Sequence, residues 1–422
     1  MNLVKSGFSD FDLELEDFEI KKASRLITRL YSLGSGGSIH SIPKVKEGIV
    51  YFCSMDQHVY ALDCETGRVA WKFRTDGKMG GNSPEIYENV LYAGNLTGSL
   101  YAFEAKTGKV MWNVRVGEGI GTKPFFYEGK LYVGCVDGNF YCLDSETGKE
   151  LWRFRTGDEI FYSPSGNEGR VYFGSGDGNF YCLDSETGKG IWRFRTGDEM
   201  YSEAPSRVHR GVIHFASVDN NLYAVDAKTG KELWRFKTGK YGNSFSPCIH
   251  KDVIYHGSRD GILYALTLEG KEKWRFRAGG LTASSVLVHK DRIFFGSEDQ
   301  NLYCLDLNGK EMWRFRTSGQ VWSHPAVWKD SLLFGSWDCH FYCVDLKGNE
   351  IWRFATSDKT ISKVDPPYKV FEMVVKKTSD EEGEGEGKYD LDLSGKSEEV
   401  YTVKSEYAGE IVYASKKNYG EE

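Results

Sequence analysis

Residues 140–160 read FYCLDSETGKELWRFRTGDEI, and residues 180–200 read FYCLDSETGKGIWRFRTGDEM. The second passage repeats the first about 40 residues on. The same text, D-x-x-T-G-K-x-x-W-R-F, recurs in looser form along the chain. Its tryptophan stands at Trp71, Trp112, Trp152, Trp192, Trp234, Trp274, Trp313 and Trp352. The intervals of 41, 40, 40, 42, 40, 39 and 39 residues define eight units, a period typical of propeller blades.

One unit, residues 162–197, parses into four strands by alternation and turn chemistry. YSPSG supplies an inner strand A and VYFGS strand B. The turn Asp177-Gly178 leads to FYCLD as strand C. The turn Glu186-Thr187-Gly188 leads to IWRFR as the outer strand D. Glycine stands where the turns require positive φ. In strand D, Trp192 and Phe194 share one face and Arg193 and Arg195 the other. One such sheet cannot bury both faces, but a closed ring of copies can, and closure also protects the sheet edges.

The pattern resembles the PQQ-like (BamB-like) repeat of eight-bladed β-propellers, whose signature is close to A-x-D-x-x-T-G-K-x-x-W, over residues 38–356. The resemblance implies an all-β, eight-bladed propeller of four-stranded antiparallel blades. It further implies that each of the eight repeat tryptophans docks on the next blade's backbone. The shared text is therefore scaffold, and function is expected where the copies differ.

The ends differ from this body. Residues 1–37 form an extension in which Leu26 to Gly34, LITRLYSLG, resembles a strand D. It is either an extra outer strand capping blade eight or a strand that leads in. Residues 357–422 hold 10 Lys and Arg against 16 Asp and Glu, an acidic tail. KVFEMVVKK, a linker SDEEGEGEGK, YDLDLS and EVYTVKSEYAGEIVYAS read as two to four short strands of a β-rich appendage. Tyr401, Tyr407, Tyr413 and Tyr419 are six apart and would point one way in an extended chain. Such a segment packs on the propeller rim or adds to a partner's sheet.

The net charge of −7 comes mainly from the tail, which gives no electrostatic case for nucleic-acid binding. No apolar run approaches the ~20 residues that span a bilayer. The opening MNLVKSGFSDFDLELEDFEI lacks the apolar core of a secretory signal. Nine Cys occur with no adjacent pair, and Cys142, Cys182, Cys304 and Cys343 share one repeat position. They read as inert core thiols in a reduced, cytoplasmic protein.

Several constellations invite chemistry. Asp56, Asp137, Asp177, Asp219, Asp260, Asp299 and Asp338 follow strand B, with Thr97 in blade two. Seven carboxylates could suggest a cation ring, but Asp before Gly or Asn is ordinary turn chemistry. Arg153/Arg155, Arg193/Arg195, Arg275/Arg277 and Arg314/Arg316 read as a solvated outer belt. The D–A loops converge on one channel mouth and diverge between copies. They supply Phe161, Tyr162, Tyr201, Tyr241, Phe245 and Trp322, with Lys123 and Glu203. These either form a ligand or peptide pocket or plug the channel. Where four blades carry Asn139, Asn179, Asn221 and Asn301, blades one and eight carry His58 and His340. Ring closure would bring these near His40, His324, Cys339 and Trp337. Imidazoles and a thiol suit a metal or proton transfer, but no HxH or HxxxH spacing fixes the geometry.

The reading favoured is a non-catalytic binding or scaffolding propeller with a protein partner at its mouth and, through the tail, beside it. The alternative resembles the PQQ-dependent dehydrogenases. Those enzymes commonly clamp the quinone with adjacent cysteines, and no such pair exists here. No calcium ligand set carries over either, so PQQ has no residues in its support and no cofactor is expected. A third reading is a small-molecule-binding propeller without turnover.

Overall fold

The computed structural model of the 422-residue chain describes residues 37–79, 84–202, 204–243 and 245–356, and the strands Val400–Ser405 and Gly409–Ala414. Two compact units are separated at residue 358. The first carries eight four-stranded antiparallel sheets, each ordered A-B-C-D from the inside out. They span 44–74, 85–115, 125–155, 165–195, 207–237, 248–277, 287–316 and 326–355. Every blade thus takes its four strands from one continuous segment. The segment Leu26 to Gly34 lies outside the described residues.

In blade four the strands are Ser165–Asn167, Arg170–Gly174, Asn179–Asp184 and Gly190–Arg195. Strand A begins three residues later than YSPSG implied. The displaced Phe161–Tyr162 instead pairs in parallel with Tyr201–Ser202 of the next loop. The two most similar loops of the chain thus adopt one conformation in adjacent blades and hydrogen-bond to each other.

The tryptophan works with two small neighbours. Across strands C and D, Trp152 is the register partner of Cys142, and a β-bulge follows at Cys142/Leu143. The same pairing joins Trp71 to Ala61 and Trp352 to Cys343. A small residue is needed there because a cross-strand partner sits within about 5.5 Å. This explains why the position carries Cys or Ala, and burial pushes the Cys142 thiol up to about 12. The indole then lies on the glycine of the next blade's C–D turn. A Cβ on Gly188 (φ +69) would stand 2.6 Å from the Trp152 ring, and one on Gly108 (φ +72) 2.5 Å from Trp71. Both the left-handed backbone and the indole demand glycine.

Indole nitrogens donate to next-blade carbonyls: Trp71 to Ala105 O (2.8 Å), Trp192 to Ala227 O (3.2 Å), Trp234 to Leu268 O (2.8 Å), Trp274 to Leu307 O (3.1 Å) and Trp313 to Leu346 O (3.0 Å). Trp112 and Trp152 differ: their Nε1 atoms are buried without a hydrogen bond. The carbonyls of Ser145 and Ser185 accept instead from Tyr92 and Tyr132 of strand B.

The ring closes in the same way. Trp352 Nε1 donates to Cys64 O across the seam (3.0 Å), and Tyr60 Oη donates to Thr356 O (2.7 Å). Phe52 stacks on Phe341 at 4.1 Å and 2°. Ile39, Phe52 and Leu62 share one buried core with Leu333 and Phe341.

In the second unit, Val400–Ser405 and Gly409–Ala414 form an antiparallel hairpin with Tyr401 opposite Tyr413. The chain reverses between them, so the tyrosines do not follow one extended strand. Tyr407, Tyr419, KVFEMVVKK, the acidic linker and YDLDLS lie outside the described residues.

Candidate functional site at the channel mouth

Strand A begins and strand B ends on the same face of the ring, so D–A loops and B–C turns together build the mouth. The turn Asp is the mortar of this face. Asp177 Oδ1 caps Asn179 N (2.9 Å), while Oδ2 accepts from Tyr181 Oη (2.7 Å) and from Gly157 N of the preceding loop (2.8 Å). Asp219, Asp260 and Asp338 repeat the scheme with Tyr223, Tyr264 and Tyr342. Each carboxylate is satisfied by local donors and clips two blades together. Among the described residues no three His, Cys, Asp or Glu side chains group as a metal site.

Blade two solves its missing Asp differently. Asp76, from the loop before it, occupies a place that is glycine before blades three to seven (Gly117, Gly157, Gly197, Gly239, Gly279). Its carboxylate accepts from Tyr101 Oη (2.8 Å), Ser99 Oγ (2.7 Å) and Asn95 Nδ2 (2.6 Å). Burial pushes this carboxyl up, but the bonds from Ser99, Tyr101 and Asn95 outweigh it and hold it below the usual range.

The loops then cross the channel. Ile39, Met79, Ile120, Ile160, Met200 and Val321 are buried at the loop base. Ile160 and Ile39 press on Gly134 and Gly335 at the ends of strand B, where a Cβ would collide. Those glycines serve close approach rather than positive φ. Beyond this ring the aromatic residues separate into two groups. Tyr162 (0% exposed) and Phe245 (2%) are plugs. Tyr162 Oη bonds Ser246 Oγ (2.9 Å), two blades away, and Phe245 packs on Trp322 and His324. Phe161 and Tyr201 are half-buried, with rings 5.8 Å apart. Tyr241 is 52% exposed, at φ 83. The next amide, Gly242 N, donates to Asn220 Oδ1 (2.7 Å) and pins the turn that carries it. Glu203 lies outside the described residues.

The seam collects rings rather than metal ligands. Trp322 stacks on Trp337 (5.1 Å, 19°), and His40 lies 4.6 Å from Trp337. Burial lowers His40 and His324 to about 3, so both are neutral at physiological pH. His58 Nδ1 and His340 Nδ1 each bond the carbonyl of their own turn Asp (2.9 Å each). They do the turn work that Asn179 and Asn301 do elsewhere. Cys339 holds φ 66 in the same turn and is half-buried.

On the outer wall three arginines of the belt pair with a glutamate of their own strand, while Arg155 and Arg195 bond the carbonyls of Asp137 and Asp177. Arg153 makes a two-bond contact to Glu150 (2.7 Å each), and Arg275 and Arg314 do likewise with Glu272 and Glu311.

Three charged arrangements escaped the sequence reading, the first of them around Lys123, which the sequence places only among the mouth residues. Lys123 is buried and pairs with Glu85, which also meets Lys44 at 3.2 Å. Glu298, beside the turn Asp of blade seven, is pushed up to about 7 by burial, with Arg259 pulling the other way. On the opposite face, His209 and His250 face Asp252 (3.2 Å) and Asp291 (4.0 Å) of their next blades. Aligning the residue before each turn Asp would have found Glu298, because only Arg259 and Glu298 are charged there. The Lys44–Glu85–Lys123 cluster joins three blades and has no linear signature.

Several comparisons bear on this architecture. No curated protein matches the chain. Among solved structures, BamB from Moraxella catarrhalis is similar at 22% identity and TM-score 0.61, covering 70% of this chain and 91% of that one. The computationally designed Ika8 protein superposes with TM-score 0.66 at 15% identity, covering 74% of this chain and 98% of its own. Quinohemoprotein alcohol dehydrogenase from Comamonas testosteroni gives TM-score 0.63 at 16% identity, covering 75% and 76%. At these identities the likeness shows the fold. The sequence model of the family described as outer membrane protein assembly factor BamB matches residues 29–95, 56–161, 137–278 and 259–382. With eight tryptophan-docked blades inside that span, the chain belongs to this PQQ-like, BamB-like propeller family.

Proposed function

We propose that this chain is a non-catalytic binding propeller that presents its D–A loop face to a protein partner. The observation that carries the reading is Tyr241. A large aromatic side chain stands 52% exposed on a backbone with φ 83, a conformation that is strained for such a residue. Among the described residues the Tyr241 side chain makes no hydrogen bond or ring contact. Half-buried Phe161, Tyr201 and Trp322 on the same face add amphipathic contact area of the kind that dominates interface energetics. The family's BamB title, assembly factor, names a function of this kind.

The test uses the purified chain as bait. Tyr241→Ala should weaken capture of a partner at least ten-fold, and Trp322→Ala should act in the same direction. The control is Leu151→Ala on the outer wall, where the side chain is 48% exposed. Equal capture by Tyr241→Ala and the unaltered chain would sink the reading.

The second reading, a quinoprotein-like oxidoreductase, draws on the Trp322–Trp337 stack, a flat platform for a planar ring. The residues present do not fit the cysteine clamp, since no two of the nine cysteines are adjacent. A quinone absorbance band from the purified chain would replace the first reading with this one.

A further inference from the structure

The face opposite the mouth is built from A–B turns on the inside and C–D turns on the outside. Each A–B turn has one residue at its tip with φ between 47° and 51°, the same left-handed geometry in all eight blades. All eight tips are charged and exposed. Blades one to four carry Glu47, Glu88, Glu128 and Glu168. Blades five to eight carry Arg210, Lys251, Lys290 and Lys329. A left-handed turn position favours Gly, Asn or Asp and sets no sign of charge. The backbone therefore does not account for a ring divided into an acidic and a basic half.

The division persists when the neighbouring charges are counted. From the end of strand A to the start of strand B, and from the end of strand C to the residue before strand D, blades one to four hold 11 acidic and 8 basic residues. The same turns of blades five to eight hold 7 acidic and 10 basic residues. With histidine neutral, one half of the face is −3 and the other +3. Glutamates at the start of strand D are taken up by arginines of their own strand. The basic tips already meet carboxylates: Arg210 with Asp252 (2.9 Å), Lys251 with Asp291 (2.6 Å), Lys290 with Asp330, and Lys329 with Glu65 (2.6 Å). Those pairs are inside the count. At 54–65% side-chain exposure the four cations keep room for a second carboxylate. Glu47, Glu88 and Glu168 form no ion pair or side-chain hydrogen bond among the described residues.

We propose that this face pairs with the same face of a second copy of this chain. The two-fold axis lies in the face, along the diameter from the seam between blades eight and one to the junction between blades four and five. That operation sets blade one on blade eight, two on seven, three on six and four on five. Glu47 then meets Lys329, Glu88 meets Lys290, Glu128 meets Lys251 and Glu168 meets Arg210, each twice. A two-fold pairing needs a patch complementary to itself, and here the −3 half comes onto the +3 half of the other copy. Tyr87, 44% exposed and stacked on Phe126 (3.6 Å), comes opposite His289 and adds aromatic area to the contact. Both mouths point outward in such a pair, so the proposal stands apart from the partner-binding reading at Tyr241.

Analytical ultracentrifugation of the full chain tests the proposal. At about 50 mM salt a reversible dimer is expected, with a dissociation constant on the order of 10 μM or tighter. Raising the salt to about 500 mM should weaken it at least ten-fold. The double variant Glu88→Lys/Glu168→Lys sets like charges opposite each other and should bind itself at least ten-fold more weakly. Arg210→Glu/Lys290→Glu, which reverses the facing positions, should do the same. Mixed in equal amounts, the two double variants should form a heterodimer with about the affinity of the unaltered chain for itself, which also shows that both fold. An unaltered chain that stays monomeric at about 100 μM would overturn the proposal. So would a dimer of either double variant alone as tight as the original, or double variants that fail to pair with each other when the unaltered chain dimerises.

Discussion

The two faces of the propeller solve different problems with the same repeat. On the C–D turn side, an indole, a small cross-strand partner and a left-handed glycine recur eight times with little variation. On the D–A loop side, hardly any two loops have the same content. Blades four and five pair through Phe161 and Tyr201, blade six projects Tyr241, and blade eight stacks Trp322 on Trp337. The difference shows where each residue answers to its neighbours. A turn packed against the next blade has one solution, whereas a loop facing the channel is constrained only at its base.

Acid should expose the largest effect and test both faces together. His214 and His256 in strands B are lowered to about 4 by burial, and His40 and His324 at the mouth to about 3. Folded values below the ordinary 6.5 mean that these rings stabilise the neutral fold fully above pH 6.5. The contribution is lost as pH falls toward 4, because the unfolded chain binds the protons first. Each ring contributes about 1.4 kcal/mol per pH unit over that window. Urea midpoints should drop steeply between pH 6.5 and 4.5. His256→Phe should flatten the drop, since Phe173, Phe215, Phe295 and Phe334 fill the same register position in other blades. An unchanged slope would break the assignment of His256 as a buried neutral ring.

Trp352→Ala should come next, at about 3 kcal/mol, from lost aromatic burial and an open seam. Trp152→Ala should cost less, because its indole makes no hydrogen bond. Equal losses in denaturation would show that the bond to Cys64 O contributes nothing.

The exchanged carboxylate offers a finer test. Asp76→Gly leaves Tyr101, Ser99 and Asn95 without their acceptor and should cost about 1–3 kcal/mol. Adding Thr97→Asp restores the arrangement of the other blades and should recover most of it. Failure of that rescue in the double variant would mean that Asp76 acts otherwise. The smallest effect belongs to the mouth: Tyr241→Ala should change stability by less than about 0.5 kcal/mol, as an exposed substitution does. A larger loss in thermal melting would move Tyr241 into the scaffold.

Much of the ring was readable along the chain. The period of the tryptophans delivers the blades, and alternation with turn glycines delivers strands B, C and D. Strand A was misplaced because its three residues are too few for a periodic signal, and Phe161–Tyr162 looked equally strand-like. The four histidines of the seam were read as a gathering. Two of them, His58 and His340, instead turn back on their own Asp, a local bond that wins over any longer reach.

Sequence alone determined the eight blades, their strands B, C and D and the indole at each junction, because those depend on local periodicity and on contacts repeated at fixed spacing. Only the tertiary structure decided which mouth side chains meet solvent. Tyr162 and Tyr241 look alike in their loops. One is sealed against Ser246 and the other is lifted outward, because eight inner strands crowd into a single channel and leave room for only some of the rings.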